Sequence, residues 1–232
     1  MITNDENTKQ ALSFWKTRKG ILLQIIIVLI PSILLLKSGR LLLFGLLFSV
    51  CLSWVGLRLQ KKNWSDVGLK RPSDFKKLFL TAAVSTIVLI PLTYLLRHLI
   101  VSVTHHEPNL EAFKDIQGNL LALLMGLVVV WIVAAFGEEM FFRGFLMNSF
   151  YKLFPNRNFN DSIRWGLSLL VTSVLVGFGH AYQGITGMIL TGLIGFCFGL
   201  IYLNSKRNLW ASILTHGLYD TVAFVLVYLG FN

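Results

Sequence analysis

Asn119-Leu120-Leu121-Ala122-Leu123-Leu124-Met125-Gly126-Leu127-Val128-Val129-Val130-Trp131-Ile132-Val133-Ala134-Ala135-Phe136-Gly137, followed at once by Glu138-Glu139, decides the fold class of this chain. A transmembrane helix needs about 20 mostly apolar residues, within a range of roughly 17 to 25. This run reaches that length before its first charge. Working outward, Gly20 to Leu36, Leu41 to Leu57, Leu78 to Leu96, Trp165 to about Gly179, Gly184 to Asn204 and Leu209 to Phe231 also qualify, the stretch from Trp165 being the weakest. Pro31 interrupts the first run, which a membrane helix tolerates. Only Lys37-Ser38-Gly39-Arg40 separates the first two runs, so they are expected to form a tight antiparallel hairpin.

Composition agrees. Hydrophobic residues make up 55% of the 232 residues and charged residues only 14%, and the mean hydropathy is +0.67. A soluble domain carries about 25% charged residues, so this chain lacks the polar surface to face water. The same figures exclude a fibrous, disordered or disulfide-rich secreted class. Cys51 and Cys197 lie in apolar runs and read as small hydrophobes. No small-residue cleavage pattern follows Leu36, so the first helix reads as uncleaved. The expected fold is an all-α, polytopic transmembrane helical bundle of about seven spans (six to eight). Residues 1–19 form a cytoplasmic tail, 20–118 the N-terminal helices and loops, and 119–232 the remaining helices.

The charge excess of +10 reads as a topology signal. With the N-terminus inside, seven spans put seventeen of the 21 Lys and Arg in inside loops, leaving Lys37, Arg40, Arg97 and Lys114 outside. That bias accounts for the basic character without nucleic acid and predicts a cytoplasmic N-terminus and an outside C-terminus. The expected environment is the cell membrane. The sixth run carries Gly187, Thr191, Gly195 and Gly199 at four-residue spacing, read as a packing stripe.

Ionisable residues in such spans are costly, about 2.5–3.5 kcal/mol each at a helix centre, and mark function by default. Three groups stand out: Gly137-Glu138-Glu139-Met140-Phe141-Phe142-Arg143, Phe178-Gly179-His180 and His216-Gly217-Leu218-Tyr219-Asp220. Glu139 and Arg143, four apart, share a helix face and can neutralise each other. Glu138, rotated about 100° from Glu139, is left over. A carboxylate without a cation in a low-dielectric place can act as a base near neutrality. His216 and Asp220 are also four apart; the pair can fix an imidazole tautomer or approach one water, metal or substrate atom. Together the three groups suit water activation, directly or through a metal. Neither His-Glu-x-x-His nor Gly-x-Ser-x-Gly occurs, and His105-His106-Glu107, in an outside loop beside Pro108, reads as a decoy rather than a metal tract.

Glu-Glu-x-x-x-Arg at 138–143, a His closing a later span at 180 and His-x-x-x-Asp at 216–220 resemble the CPBP family of CAAX-processing and bacteriocin-processing intramembrane proteases, also called the Abi family. The phrase from Gly137 to Gly144 is especially similar, and the order and separation of the motifs match. The resemblance implies that 119–232 is a catalytic core cleaving a peptide bond of a membrane-associated substrate within the bilayer. Glu138 would activate water and His180 assist. His216 and Asp220 would steady the transition state or bind a metal, with Glu139 and Arg143 in support. It admits a zinc ion without establishing one, the family being described both as metalloproteases and as glutamate proteases. Two residues depart from its pattern: Val176 stands where Phe usually precedes the motif-two His by four, and Asp220 where Asn is often found. An ionised Asp cannot donate to an oxyanion, which favours a metal or orientation of His216. A non-catalytic bacteriocin-immunity protein or small transporter is the rival reading; no inverted or parallel repeat supports transport.

Two geometric expectations complete the reading. Straight helices place His216 about 12 Å and His180 about 24 Å from the inner ends of their spans, at unlike depths. One continuous helix from Asn119 to Phe154, with Glu138 near its middle, is the alternative to a span ending at Gly137.

Overall fold

The computed structural model describes residues 13–35 and 42–231. The Lys37-Ser38-Gly39-Arg40 stretch where a tight hairpin was expected, the run ends Leu36 and Leu41 and most of the 1–19 tail lie outside the described residues. Seven helices are seen among the rest: α1 Arg18–Leu35, α2 Leu42–Leu59, α3 Phe75–Thr104, α4 Leu120–Leu153, α5 Asp161–Gly179, α6 Gly184–Asn204 and α7 Leu209–Tyr228. Six are long and apolar enough to cross a bilayer, and α2 is a slightly shorter apolar helix. The chain is a multi-pass helical membrane protein.

Short polar residues start the helices. Asn119, Asn160 and Asp74 each accept from the backbone N–H three residues on, and Asn208 accepts from that of Trp210. Each cap satisfies a donor that the first turn would leave unpaired. The antiparallel packing of α1 on α2 shows in two polar contacts. Ser32 and Ser49 hydroxyls meet at 2.9 Å, and Gln60 Nε2 donates to Gln24 Oε1 at 2.8 Å. Large apolar side chains such as Leu80, Ile87, Val88 and Val103 on α3 remain exposed, as a lipid-facing helix requires.

The span expected to end at Gly137 continues to Leu153, giving the single long helix instead. The charges do not stop it because Glu139 and Arg143 neutralise each other inside the helix, and Met140, Phe141, Phe142, Phe145, Leu146 and Met147 are all buried. It ends where Pro155 forces the preceding Phe154 out of the helical region, at φ −72°, ψ 124°. Its central part, Val130–Glu138 and Met140–Met147, winds with i→i+5 bonds. Asn148 Nδ2 lies within hydrogen-bond distance of the carbonyls of Arg143 and Gly144, at 2.9 and 3.0 Å, and of Tyr202 Oη. Wide turns of this kind are rare and concentrate at functional sites. The 100° rotation expected between Glu138 and Glu139 therefore does not describe this stretch.

The stripe on α6 packs against α5. A Cβ on Gly199 would meet Leu169 Cδ1 at 2.2 Å, and one on Gly195 would meet Val176 Cγ1 at 3.0 Å. Gly177 and Gly192 extend the same seam. Of the basic residues expected in inside loops, Lys152, Arg164 and Arg207 gather at one end: Lys152 donates to Gln60, Arg164 to the Phe154 carbonyl, and Arg207 lies over the Trp165 ring at 5.1 Å, whereas Arg143 lies buried within α4. The contact of Arg207 with Trp165 bears on the depth problem. The turn before α7 stands beside Trp165, the end from which the depth of His180 was counted, so α5 extends further below that level and the expected difference in depth remains.

Candidate active site

α4 brings Glu138, Glu139 and Arg143; the end of α5 brings His180; α7 brings His216 and Asp220. Close approach of α4 and α7 depends on Gly217. A Cβ there would stand 2.5 Å from the Trp131 ring, so only glycine lets α7 lie against that indole. With the helices this close, His216 reaches α4.

Glu139 is fully buried and Arg143 is 2% exposed. Arg143 Nη1 donates to Glu139 Oε1 at 2.7 Å, and Nη2 donates to the Gly195 carbonyl on α6. His216 Nδ1 meets the same Oε1 at 3.1 Å, and its Nε2 faces Asp220 Oδ2 at 3.3 Å. Ionised carboxylates only accept, so with both acids charged both imidazole nitrogens donate and the ring is a cation. The cluster then holds two anions and two cations and is neutral as a whole, the condition under which such burial is tolerated. Phe198, 3% exposed, stacks on His216 with centroids 4.5 Å apart, and the Arg143 guanidinium lies over the Phe198 ring at 5.8 Å.

Glu138 is half-buried, and among the described residues it makes no hydrogen bond or ion pair. His180, His216 and Asp220 are the charged or chargeable neighbours around its carboxyl, beside Glu139 itself. His180 closes α5, where its Nδ1 lies 2.9 Å from the Val176 carbonyl. A carbonyl only accepts, so Nδ1 carries the proton and the Nε2 lone pair is free. The contribution of Val176, where the family pattern has Phe, is thus made by its backbone; Phe178, two before the His, is 54% exposed.

All six residues singled out in the sequence therefore meet around one volume. The pairing of Glu139 with Arg143 and of His216 with Asp220 follows their spacing. The bond from His216 to Glu139, the Gly195 carbonyl and the Phe198 stack do not, because each joins different helices. Tyr182, whose ring centroid lies 5.9 Å from that of His180, was also not singled out. His105-His106-Glu107 stands apart: His105 closes α3 in the left-handed region at φ 57°, His106 offers its carbonyl to Thr186, and Glu107 pairs with Arg97 at 3.0 Å.

The donor set does not fit zinc. Both nitrogens of His216 are engaged by carboxylates, and among the described residues no three His, Cys, Asp or Glu side chains converge as metal ligands. What the arrangement offers is one carboxylate without a cation, beside one imidazole with a free lone pair and a neutral charged cluster behind them.

Residues 118–222 match the family model described as Type II CAAX prenyl endopeptidase Rce1-like. The match takes in the whole of Glu138 to Arg143, His180, His216 and Asp220, and agrees with the CPBP resemblance carried by those motifs. No curated protein and no solved structure matches the chain. Over this region the chain is similar to a family of CAAX-type endopeptidases, which supports a membrane protease.

Proposed function

With the Rce1-like match as premise, we propose that this chain is an intramembrane endopeptidase in which Glu138 activates water without a metal. The observation that carries the reading is that Glu138 is the one carboxyl in the cluster left without a cation, while Glu139, Arg143, His216 and Asp220 neutralise one another. Glu138 takes a proton from water as the oxygen attacks the peptide carbonyl. His180, holding its Nδ1–H on Val176, accepts a hydrogen bond from the same water at Nε2 and sets its direction. The carbonyl becomes a tetrahedral oxyanion near the His216 imidazolium, which stabilises the developing charge electrostatically. As the C–N bond breaks, the proton held by Glu138 passes to the leaving amine. Asp220 holds the His216 ring in orientation, a role open to an ionised Asp.

The substrate class is a peptide segment of a membrane-associated protein, presented at the depth of Glu138 within the bilayer; nothing in these residues reads a prenyl group. The loop charges support a cytoplasmic N-terminus and an outside C-terminus. Wild-type protein, reconstituted with membrane-anchored peptides in ¹⁸O-labelled water, tests the reaction class. Cleavage with one ¹⁸O in the new carboxylate is expected. Absence of cleavage across a broad panel would favour a non-catalytic role such as bacteriocin immunity.

A further inference from the structure

We propose that the segment from His105 to Asn109 is a strap that positions His180, fastened by Thr186 as a positioning residue; its part in catalysis rests on the endopeptidase reading above. α3 ends at Thr104, α5 ends at Gly179 and α6 starts at Gly184. Thr186, 1% exposed in the first turn of α6, donates its hydroxyl to the His106 carbonyl at 2.6 Å and meets the Thr104 hydroxyl at 2.7 Å. Further along the strap, the Asn109 N–H donates to the Gln183 carbonyl at 2.8 Å, and the Gln183 N–H donates in turn to the His180 carbonyl at 2.9 Å. A line of hydrogen bonds thus runs from the strap to the backbone of His180. The strap is itself tied to α3, by the His105 N–H on the Val101 carbonyl at 2.8 Å and by Glu107 on Arg97 at 3.0 Å. The His105-His106-Glu107 motif therefore serves through a carbonyl and a carboxylate, with no imidazole acting as a ligand.

The turn that carries His180 needs such a support. His180 has left the helical region, at φ −104°, ψ 17°, and Ala181–Gln183 make a single 3-10 turn that ends in Gly184 at φ 77°, ψ −179°, a conformation essentially confined to glycine. Neither α5 nor α6 continues through it. The bond from the ring to the Val176 carbonyl fixes how His180 is rotated on α5, while the strap fixes where the turn stands. Short exposed connections open at low free energy unless they are tied down. A shift of about 1 Å at a reacting group costs up to about 10²-fold in rate, so small freedom in this turn would register in the chemistry.

The test uses the full chain, purified in detergent, with two readouts: amide hydrogen exchange across residues 177–186, and kcat and KM on a membrane-anchored peptide. Thr186→Val keeps the shape and removes the hydroxyl; Thr186→Ser keeps the hydroxyl; Glu111→Gln cuts an exposed pair with Lys114 beyond the strap. Thr186→Val is expected to speed exchange in the turn about tenfold and to lower kcat about tenfold at unchanged KM, with Thr186→Ser and Glu111→Gln as wild type. Glu107→Gln, an exposed change that loosens the strap from α3, is expected to move both readouts the same way by about twofold and serves where the valine variant does not fold. In a His180→Ala background, Thr186→Val is expected to lower kcat no further, since the strap acts through that ring. Unchanged exchange, unchanged kcat, or a fall that persists undiminished without His180 overturns the proposal. If wild type cleaves nothing, the endopeptidase reading fails and exchange alone decides the strap: faster exchange in Thr186→Val sustains it, and unchanged exchange overturns it.

Discussion

His216 crosses from α7 to α4 to place its Nδ1 3.1 Å from Glu139 Oε1, the same oxygen that Arg143 grips at 2.7 Å. One buried oxygen thereby ties two helices and serves two cations. The consequence for function is a division of labour between adjacent acids. Glu139 is consumed by structure, and Glu138, one residue earlier, stays free to exchange a proton.

Removing one partner of this pair should cost stability before it costs chemistry. Arg143→Ala strands Glu139, and Glu139→Gln strands the guanidinium; each is expected to destabilise the protein by about 3–5 kcal/mol. The unfolding midpoint in detergent measures this. A midpoint equal to wild type in both variants would contradict the assigned role.

Gly217→Ala should destabilise despite helix propensity. Alanine gains about 1 kcal/mol over glycine inside a helix. The new methyl, however, would stand 2.5 Å from the Trp131 ring, and overpacking of that kind costs about 1–3 kcal/mol. Separation of α7 from α4 also pulls His216 off Glu139, so activity is expected to fall further than stability. A more stable and fully active variant would refute the close-packing argument.

His180→Ala should act the other way. The ring is half-buried, so the midpoint is expected to move little, while kcat falls by about 10²–10⁴. Full activity would remove His180 from the water-activating pair.

Chelators should leave the rate unchanged, because the His216 nitrogens are engaged by Glu139 and Asp220 and no ligand triad forms among the described residues. Elemental analysis beside the assay checks it. One zinc per chain, lost together with activity on chelation, would contradict the metal-free account.

Much of this was legible in the sequence because bilayer thickness and side-chain polarity act residue by residue. The apolar runs located every span, though the caps Asn160 and Asn208 were not read, and α5 begins at Asp161 rather than Trp165. Pairs four apart, Glu139 with Arg143 and His216 with Asp220, were visible since both partners sit on one helix. What escaped depends on more than one helix. The end of α4 was placed at Gly137 because a charge looks like a boundary until its neutralising partner is counted with it. The wide winding around Glu138 has no local sequence signal, and the approach of Asn148 to the carbonyls of Arg143 and Gly144 appears only once the turn is built. Phe198 carries no charge or motif that singles it out in the sequence, yet it is the surface on which His216 stacks.

The central claim rests on Glu138, and Glu138→Gln tests it most directly, because the side chain keeps its shape and makes no bond among the described residues that the change would break. Purified wild type and variant are compared on the same membrane-anchored peptides, with unfolding midpoints recorded alongside. An unchanged midpoint with cleavage lost is the expected result. Cleavage by the variant at the wild-type rate would contradict the account.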